Sequence, residues 1–347
     1  MEMLNSVSML LDADLWQTLI GVFANWITNY GWAIILFTIC LKLVLSPLDI
    51  FQRISSSKQQ KVMSSMQPEL AAIQQKYGNN REKLNQETAK LYKKHNVSMG
   101  GMCFTMLITM VLTMVIFFTL YGSLRSYGED KLYSTYANLD NKYQEAQVYV
   151  DQNAAEFSSE EEKNEYVYNI VKDTYKEQSK QNSWLWVKNV WKSDTSVDQL
   201  VDFDQYASHE GLDETEKEAA KVRYEFINDV VEKENPGQNG YYVLIIIAAA
   251  ISFLTQFLSA KLMTPKGQKL NTMNKVMFGV IPITMVILAF TSNVVFTLYI
   301  IVNSLMTAII STILSLIMKN KNKNQPEEVL LKKKNFEVVE YSRNYRK

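Results

Sequence analysis

Apolar residues gather in five blocks along this chain, 31–51, 102–122, 241–260, 276–291 and 294–318, with very polar stretches between them. A bilayer's hydrocarbon core is about 30 Å thick, so a crossing helix needs roughly 20 apolar residues at about 1.5 Å each. Four blocks meet that length; 276–291 is short and fits a tilted or locally thin arrangement. The pattern predicts an all-α, polytopic membrane protein: five transmembrane helices, a helical hairpin after the first and an enlarged helical loop after the second.

Between the blocks the periodicity changes. In 52–101, Met63, Met66, Leu70, Ile73 and Tyr77 recur at three and four, and Leu84 and Leu91 lie seven apart. Each arm thus carries one apolar stripe, and Gly78-Asn79-Asn80 marks the turn of a hairpin. The long stretch 123–240 is patterned mainly as helices, as in 160–178 and 213–234, and reads as a small helical module. Trp184, Trp186 and Trp191 within it read as interfacial anchors. Residues 9–29, with Leu10, Leu11, Leu15, Trp16, Leu19, Phe23, Trp26 and Ile27 among polar positions, read as an amphipathic segment at the outer surface. A sixth span is the alternative there, and Asp12 and Asp14 argue against it. No basic signal-peptide region opens the chain. The tail, 319–347, lacks apolar periodicity and reads as disordered.

The 36 basic and 36 acidic residues balance, yet they are segregated. Residues 52–101 hold nine basic and three acidic residues, 261–275 four and none, and 319–347 nine and four. Residues 123–240 hold 13 basic against 25 acidic, and 1–30 hold three acids and no base. Five spans make these segments alternate across the bilayer, and the positive-inside rule assigns the basic ones to the cytoplasm. The expectation is a multi-pass protein of a bacterial-type plasma membrane, with the N-terminus and the acidic module outside and the C-terminus inside. The basic hairpin either only obeys that rule or also attracts anionic lipid or ribosomal RNA.

Candidate chemistry is sparse. Cys40 and Cys103 both sit in apolar blocks, and His95 and His209 fall on opposite sides of the expected membrane. Zincin and phosphate-loop patterns are absent. The expectation is a non-enzyme with no cofactor, no metal and no DNA partner. Lys42 is the informative residue, because an ionised amine near the middle of a span costs at least about 2.5 kcal/mol. Asp49 shares its helical face but is roughly 10 Å away along the axis, a separation that reads as beyond direct pairing. The other four blocks contain no Asp, Glu, Lys, Arg or His. Thr105, Thr109 and Thr113 share one face, Ser252, Thr255, Gln256 and Ser259 cluster in the third block, and Thr297, Asn303, Ser304 and Thr307 occur in the fifth. These groups either knit spans together or line a wet groove with Lys42.

Gly31-Trp32-Ala33-Ile34-Ile35-Leu36-Phe37-Thr38 and Leu45-Ser46-Pro47-Leu48 resemble the first core span of the YidC/Oxa/Alb membrane-insertase family. Met66-Gln67-Pro68-Glu69-Leu70 and Leu91-Tyr92-Lys93 resemble its hairpin, Gly100-Gly101-Met102-Cys103-Phe104 the entry to its second core span, and Leu298-Tyr299-Ile300-Ile301-Val302-Asn303 its last span. The resemblance implies a hydrophilic intramembrane groove into which a positive residue projects, here Lys42 where arginine is usual. Candidate groove residues are then Lys42, Thr105, Thr109, Thr113, Gln256 and Asn303. Its implied partners are nascent membrane proteins and the bilayer, with the ribosome and a Sec-type translocon as candidates. A small-molecule or ion transporter and an outer scaffold are the alternatives, although transporters more often show internal repeats.

Overall fold

The computed structural model describes residues 13–94, 99–263 and 272–323, with side chains described for these apart from 13, 56–65, 99–110, 263, 272–278, 281 and 318–323. The described part is all-α. Its only pairing of strand type is an isolated bridge between Trp184 and Val187.

Helix α1 (Ala13–Trp26) spans about 21 Å, too short to cross. It packs on α4 and α2, burying Trp16 and Ile20. Helix α2 (Tyr30–Tyr77) is a single element of 48 residues, so the first apolar block and the first arm of the hairpin form one rod. Asn29 caps it by accepting from the Trp32 amide, and its own amide donates to the Ser183 carbonyl at 2.5 Å. A turn through Gly78 leads to α3 (Arg81–Lys94), which folds back on α2. Met66 and Leu91 are buried where the arms meet, and Lys94 reaches Glu69 at 3.1 Å. The expected stripes therefore face each other. Met63, of the same stripe, lies outside the described side chains.

Helix α4 (Met99–Gln152), 54 residues long, carries the second apolar block and continues into the helical module. A 3₁₀ turn (Ala154–Glu156), α5 (Glu160–Asn182), α6 (Phe203–Glu210) and α7 (Glu214–Glu234) complete that module. Both helices expected there from periodicity are present. Each starts as its sequence dictates: Ser159 caps α5, and Asp213 with Glu216 forms a capping box on α7. Tyr136, Leu139, Val171, Ile227, Val230 and Val231 form its core. Beside them Asp140, almost fully buried, holds Arg223 through two bonds of 2.7 and 3.3 Å.

Helices α8 (Val243–Met263), α9 (Thr272–Thr291) and α10 (Val294–Lys323) complete the chain as described. Among the described residues, three segments are long and apolar enough to cross a membrane: Tyr30–Ser55, Val243–Leu262 and Val294–Ile317. The other two expected spans fall on α4 and α9, where side chains are described only in part; Pro282–Thr291 is apolar within α9. Helix α10 lies at the centre, packed on α8, α2, α9 and α4. It remains helical to Lys323, five residues into the stretch read from sequence as disordered; 324–347 lie outside the described residues.

The loop 183–202 ties the module to the bundle. Val294 and Val295, opening α10, donate their amides to the carbonyls of Lys192 and Val190. Asn239 is fully buried, accepting from the amides of Lys188 and Asn189 and donating to the carbonyls of Asn189 and Ser193. Asp194, also fully buried, faces the first turn of α8 without a fully formed side-chain hydrogen bond. Burial raises its pKa, and the nearby Ile245 and Leu244 amides offset this only in part. The reading of all three tryptophans as interfacial anchors is corrected here: Trp184 and Trp191 are buried, and only Trp186 is exposed. Gly31 explains Trp184, since a Cβ there would lie 2.3 Å from the indole ring. Trp191 packs edge-on against Tyr30, with centroids 5.0 Å apart.

Candidate functional site

Burial along the bundle is uneven. In the membrane-length stretch of α2, 30–55, the buried residues are Gly31, Ala33, Ile34, Phe37 and Thr38, and no described residue from 39 to 55 is buried. On α8 burial ends at Thr255, and on α10 it is continuous from Val294 to Val302 and then recurs only at Ser311 among the described side chains. Phe117, Tyr121, Phe296 and Tyr299 form an aromatic cluster in this dense half, with the Tyr121 and Phe296 rings 4.8 Å apart. The module end of the bundle is thus tightly packed. The hairpin end is loose.

Lys42 lies just inside the loose half, and the structure corrects the expectation about its partner. Its Nζ meets Asp49 Oδ2 at 2.6 Å, with side chains 13% and 25% exposed. Seven residues rise about 10.5 Å along an ideal axis, but side chains do not stay level with their Cα atoms. The Asp49 side chain leans toward the helix N-terminus, as helical side chains do, and the long Lys42 stem runs the other way to meet it. Pro47 lies between them and has no N–H for the Leu43 carbonyl. The Ser46 hydroxyl donates to that carbonyl instead, at 2.8 Å. Ser46-Pro47 thus builds a satisfied break in the hydrogen-bond ladder beneath the ion pair.

Two further groups belong to this site and were missed from sequence. Arg53, at the spacing i+4 from Asp49 and i+11 from Lys42, falls on the same face and feels the Asp49 carboxylate. Tyr299, on the buried stretch of α10, is within electrostatic reach of Asp49 as well. The signal for Arg53 was available in its spacings of 4 from Asp49 and 11 from Lys42, which return to one face of a helix.

Among the other expected groove residues, Gln256 on α8 and Asn303 on α10 are half-buried, each just past the densely packed stretch of its helix. Thr113 is exposed on α4, while Thr105 and Thr109 lie outside the described side chains. Thr255 donates to the Ser304 carbonyl at 3.3 Å, knitting α8 to α10. Thr297 is fully buried and donates back to Asn293 within its own helix turn, so it is core and not wall. Ser252 is buried with no hydrogen-bond partner for its hydroxyl. Among the described residues no His, Cys, Asp and Glu group has the makings of a metal site.

Apolar helices long enough to cross a bilayer, packed around α10 and carrying an ion pair inside one of them, define a polytopic all-α membrane protein. Comparison with known families narrows this: residues 22–323 match the family described as the 60Kd inner membrane protein, and the chain belongs to that family, whose resemblance its spans already carried. Among curated proteins, 107 residues are 40% identical to the membrane protein insertase YidC of Nitratidesulfovibrio vulgaris (strain DP4), covering 31% of this chain and 18% of that one. A stretch of 102 residues is 38% identical to the membrane protein insertase YidC of Fusobacterium nucleatum subsp. nucleatum, covering 29% and 46% respectively. Another of 102 residues is 37% identical to the protein of that name from Geobacter sulfurreducens, covering 29% and 18%. The matched stretches therefore span less than half the length of these relatives.

Proposed function

We propose that the chain inserts nascent membrane proteins, with the loosely packed half of its bundle acting as a hydrophilic groove. The observation that carries this reading is the Lys42–Asp49 pair, held inside the first apolar block at the point where tight packing stops. Ion pairs there are costly and are retained where polar cargo passes. In this reading the groove opens toward the cytoplasm, where the basic hairpin also lies, and the module sits outside. A client's polar outer segment enters beside Lys42, with Gln256, Asn303 and Thr113 as neutral wall groups. The dense half then leaves only a short remaining path, and the client's apolar helix leaves sideways into lipid, driven by burial of its apolar surface. No step requires a cofactor. Family membership supports this activity, and the names of the relatives agree with it.

The test is growth complementation of cells depleted of their own insertase. The native chain and Lys42→Arg should restore growth, since both keep the charge. Lys42→Ala combined with Asp49→Asn, which leaves no unpaired carboxylate in the span, should not. Growth restored by that double variant to the native level would overturn the groove reading.

A further inference from the structure

We infer that Asp49 is a built-in competitor for the client, occupying the Lys42 ammonium at rest and setting how strongly the groove favours acidic outer segments. This rests on the groove reading above and goes one step past it, from a cation that attracts cargo to a carboxylate that regulates the attraction.

The argument begins with the charge on one face of α2. Lys42 and Arg53 contribute two cations and Asp49 one anion, and Asp49 lies between them along the helix. The Lys42 ammonium is therefore not bare. Its carboxylate partner sits at 2.6 Å, with both side chains mostly withdrawn from solvent. In such surroundings, removing one member of a pair leaves an uncompensated charge, which is strongly unfavourable. A client carboxylate reaching Lys42 cannot simply add to it; it must exchange with Asp49. Exchange of one carboxylate for another is nearly balanced, whereas capture by a bare ammonium in the same place would be strongly downhill and slow to reverse. The resting pair thus tempers affinity and keeps release possible. The displaced Asp49 is not stranded, because Arg53 lies one turn further along the same face. A client with a neutral outer segment makes no exchange, and Asp49 affects it far less. The break at Ser46-Pro47 contributes by loosening the helix between the two partners.

The experiment uses the full chain in proteoliposomes and two single-span clients differing only in two outer residues, Asp in one and Asn in the other. Single-round insertion is read as the client fraction whose outer segment becomes accessible to a protease on the receiving side, and chain concentration is varied to find half-maximal insertion. For Asp49→Asn, the acidic client should reach half-maximum at a concentration about fivefold lower than with the native chain, the scale of one partly exposed ion pair. The neutral client should shift by less than about twofold. Asp49→Ser should behave as Asp49→Asn does, so the test survives if one of them folds poorly. Asp49→Glu keeps a carboxylate on the same face and should hold the native ratio. An unchanged or weakened preference for the acidic client in both neutral variants overturns the inference, as does a strengthened preference in Asp49→Glu. The double variant Lys42→Ala with Asp49→Asn separates the two readings. If it inserts both clients as the native chain does, the groove reading itself falls. If it loses the acidic client while Asp49→Asn alone changes nothing, only the competitor falls.

Discussion

Replacing Arg223 by methionine should loosen the helical module without unfolding the bundle. Arg223 spans from α7 to the Asp140 carboxylate on α4 with two bonds, and Asp140 is only 7% exposed. Methionine keeps most of the stem's packing and removes the charge. Asp140 would then retain Gln144, which donates at 2.8 Å, as its neutral partner. Breaking a fully buried pair costs about 3–5 kcal/mol. Arg223 is 29% exposed, so water screens part of that loss, and about 2 kcal/mol is the expected cost. At 1.4 kcal/mol per tenfold, that corresponds to roughly 30-fold faster amide exchange for protons that exchange through opening of the module. Hydrogen exchange of the full chain in detergent should show this increase across α7 and the half of α4 facing it, with α8 and α10 unchanged. Asp140→Leu together with Arg223→Met should recover most of the protection, because no buried charge is then left alone. A single variant within twofold of the native chain, or a double variant no better protected than the single, would refute the reasoning.

The module should also fail in alkali before the spans do. Burial raises the pKa of Tyr136, Tyr175 and Tyr206 and pushes Tyr224 up to about 12. Their contribution is therefore complete below the unfolded value of about 10 and is lost as pH climbs from 10 toward 12, on the order of 2 kcal/mol for Tyr224 alone. Near-ultraviolet circular dichroism at rising pH should show that loss, and a signal flat to pH 12 would exclude it. The orientation expected from charge segregation is tested with single cysteines at Ser179 and Asn85, in a background with Cys40 and Cys103 replaced by serine. In intact cells an impermeant reagent should modify position 179 and spare position 85, and the opposite pattern would reverse the topology.

What the sequence revealed and what it hid divide along physical lines. The hairpin stripes and the helices over 160–178 and 213–234 were legible because each depends on residues within a turn or two of one another. Lys42 stood out because a charge among apolar residues is conspicuous without any structure. Its pairing was not. Axial rise alone places Asp49 out of reach, and only side-chain direction, with the relaxed ladder at Pro47, closes the gap to 2.6 Å. Trp184 and Trp191 misled for a different reason. Burial of Trp184 depends on the bare backbone of Gly31, and that of Trp191 on Tyr30 and the bare backbone of Gly128, all brought together by a loop distant in sequence, and none of this leaves a local periodic trace.

The length of α2 has a mechanical consequence. Asn29 fastens its first turn to the module through the Ser183 carbonyl, and the same helix ends at the hairpin turn. Pro47 divides this rod into a short arm clamped in the dense half of the bundle and a long arm of 30 residues to Tyr77, about 45 Å. With one end fixed, a 10° bend at Pro47 would swing the far end by about 8 Å while moving Asp49, two residues past the pivot, by well under 1 Å. The helix is thus geared: a large displacement at the hairpin end becomes a fine adjustment at the charged pair.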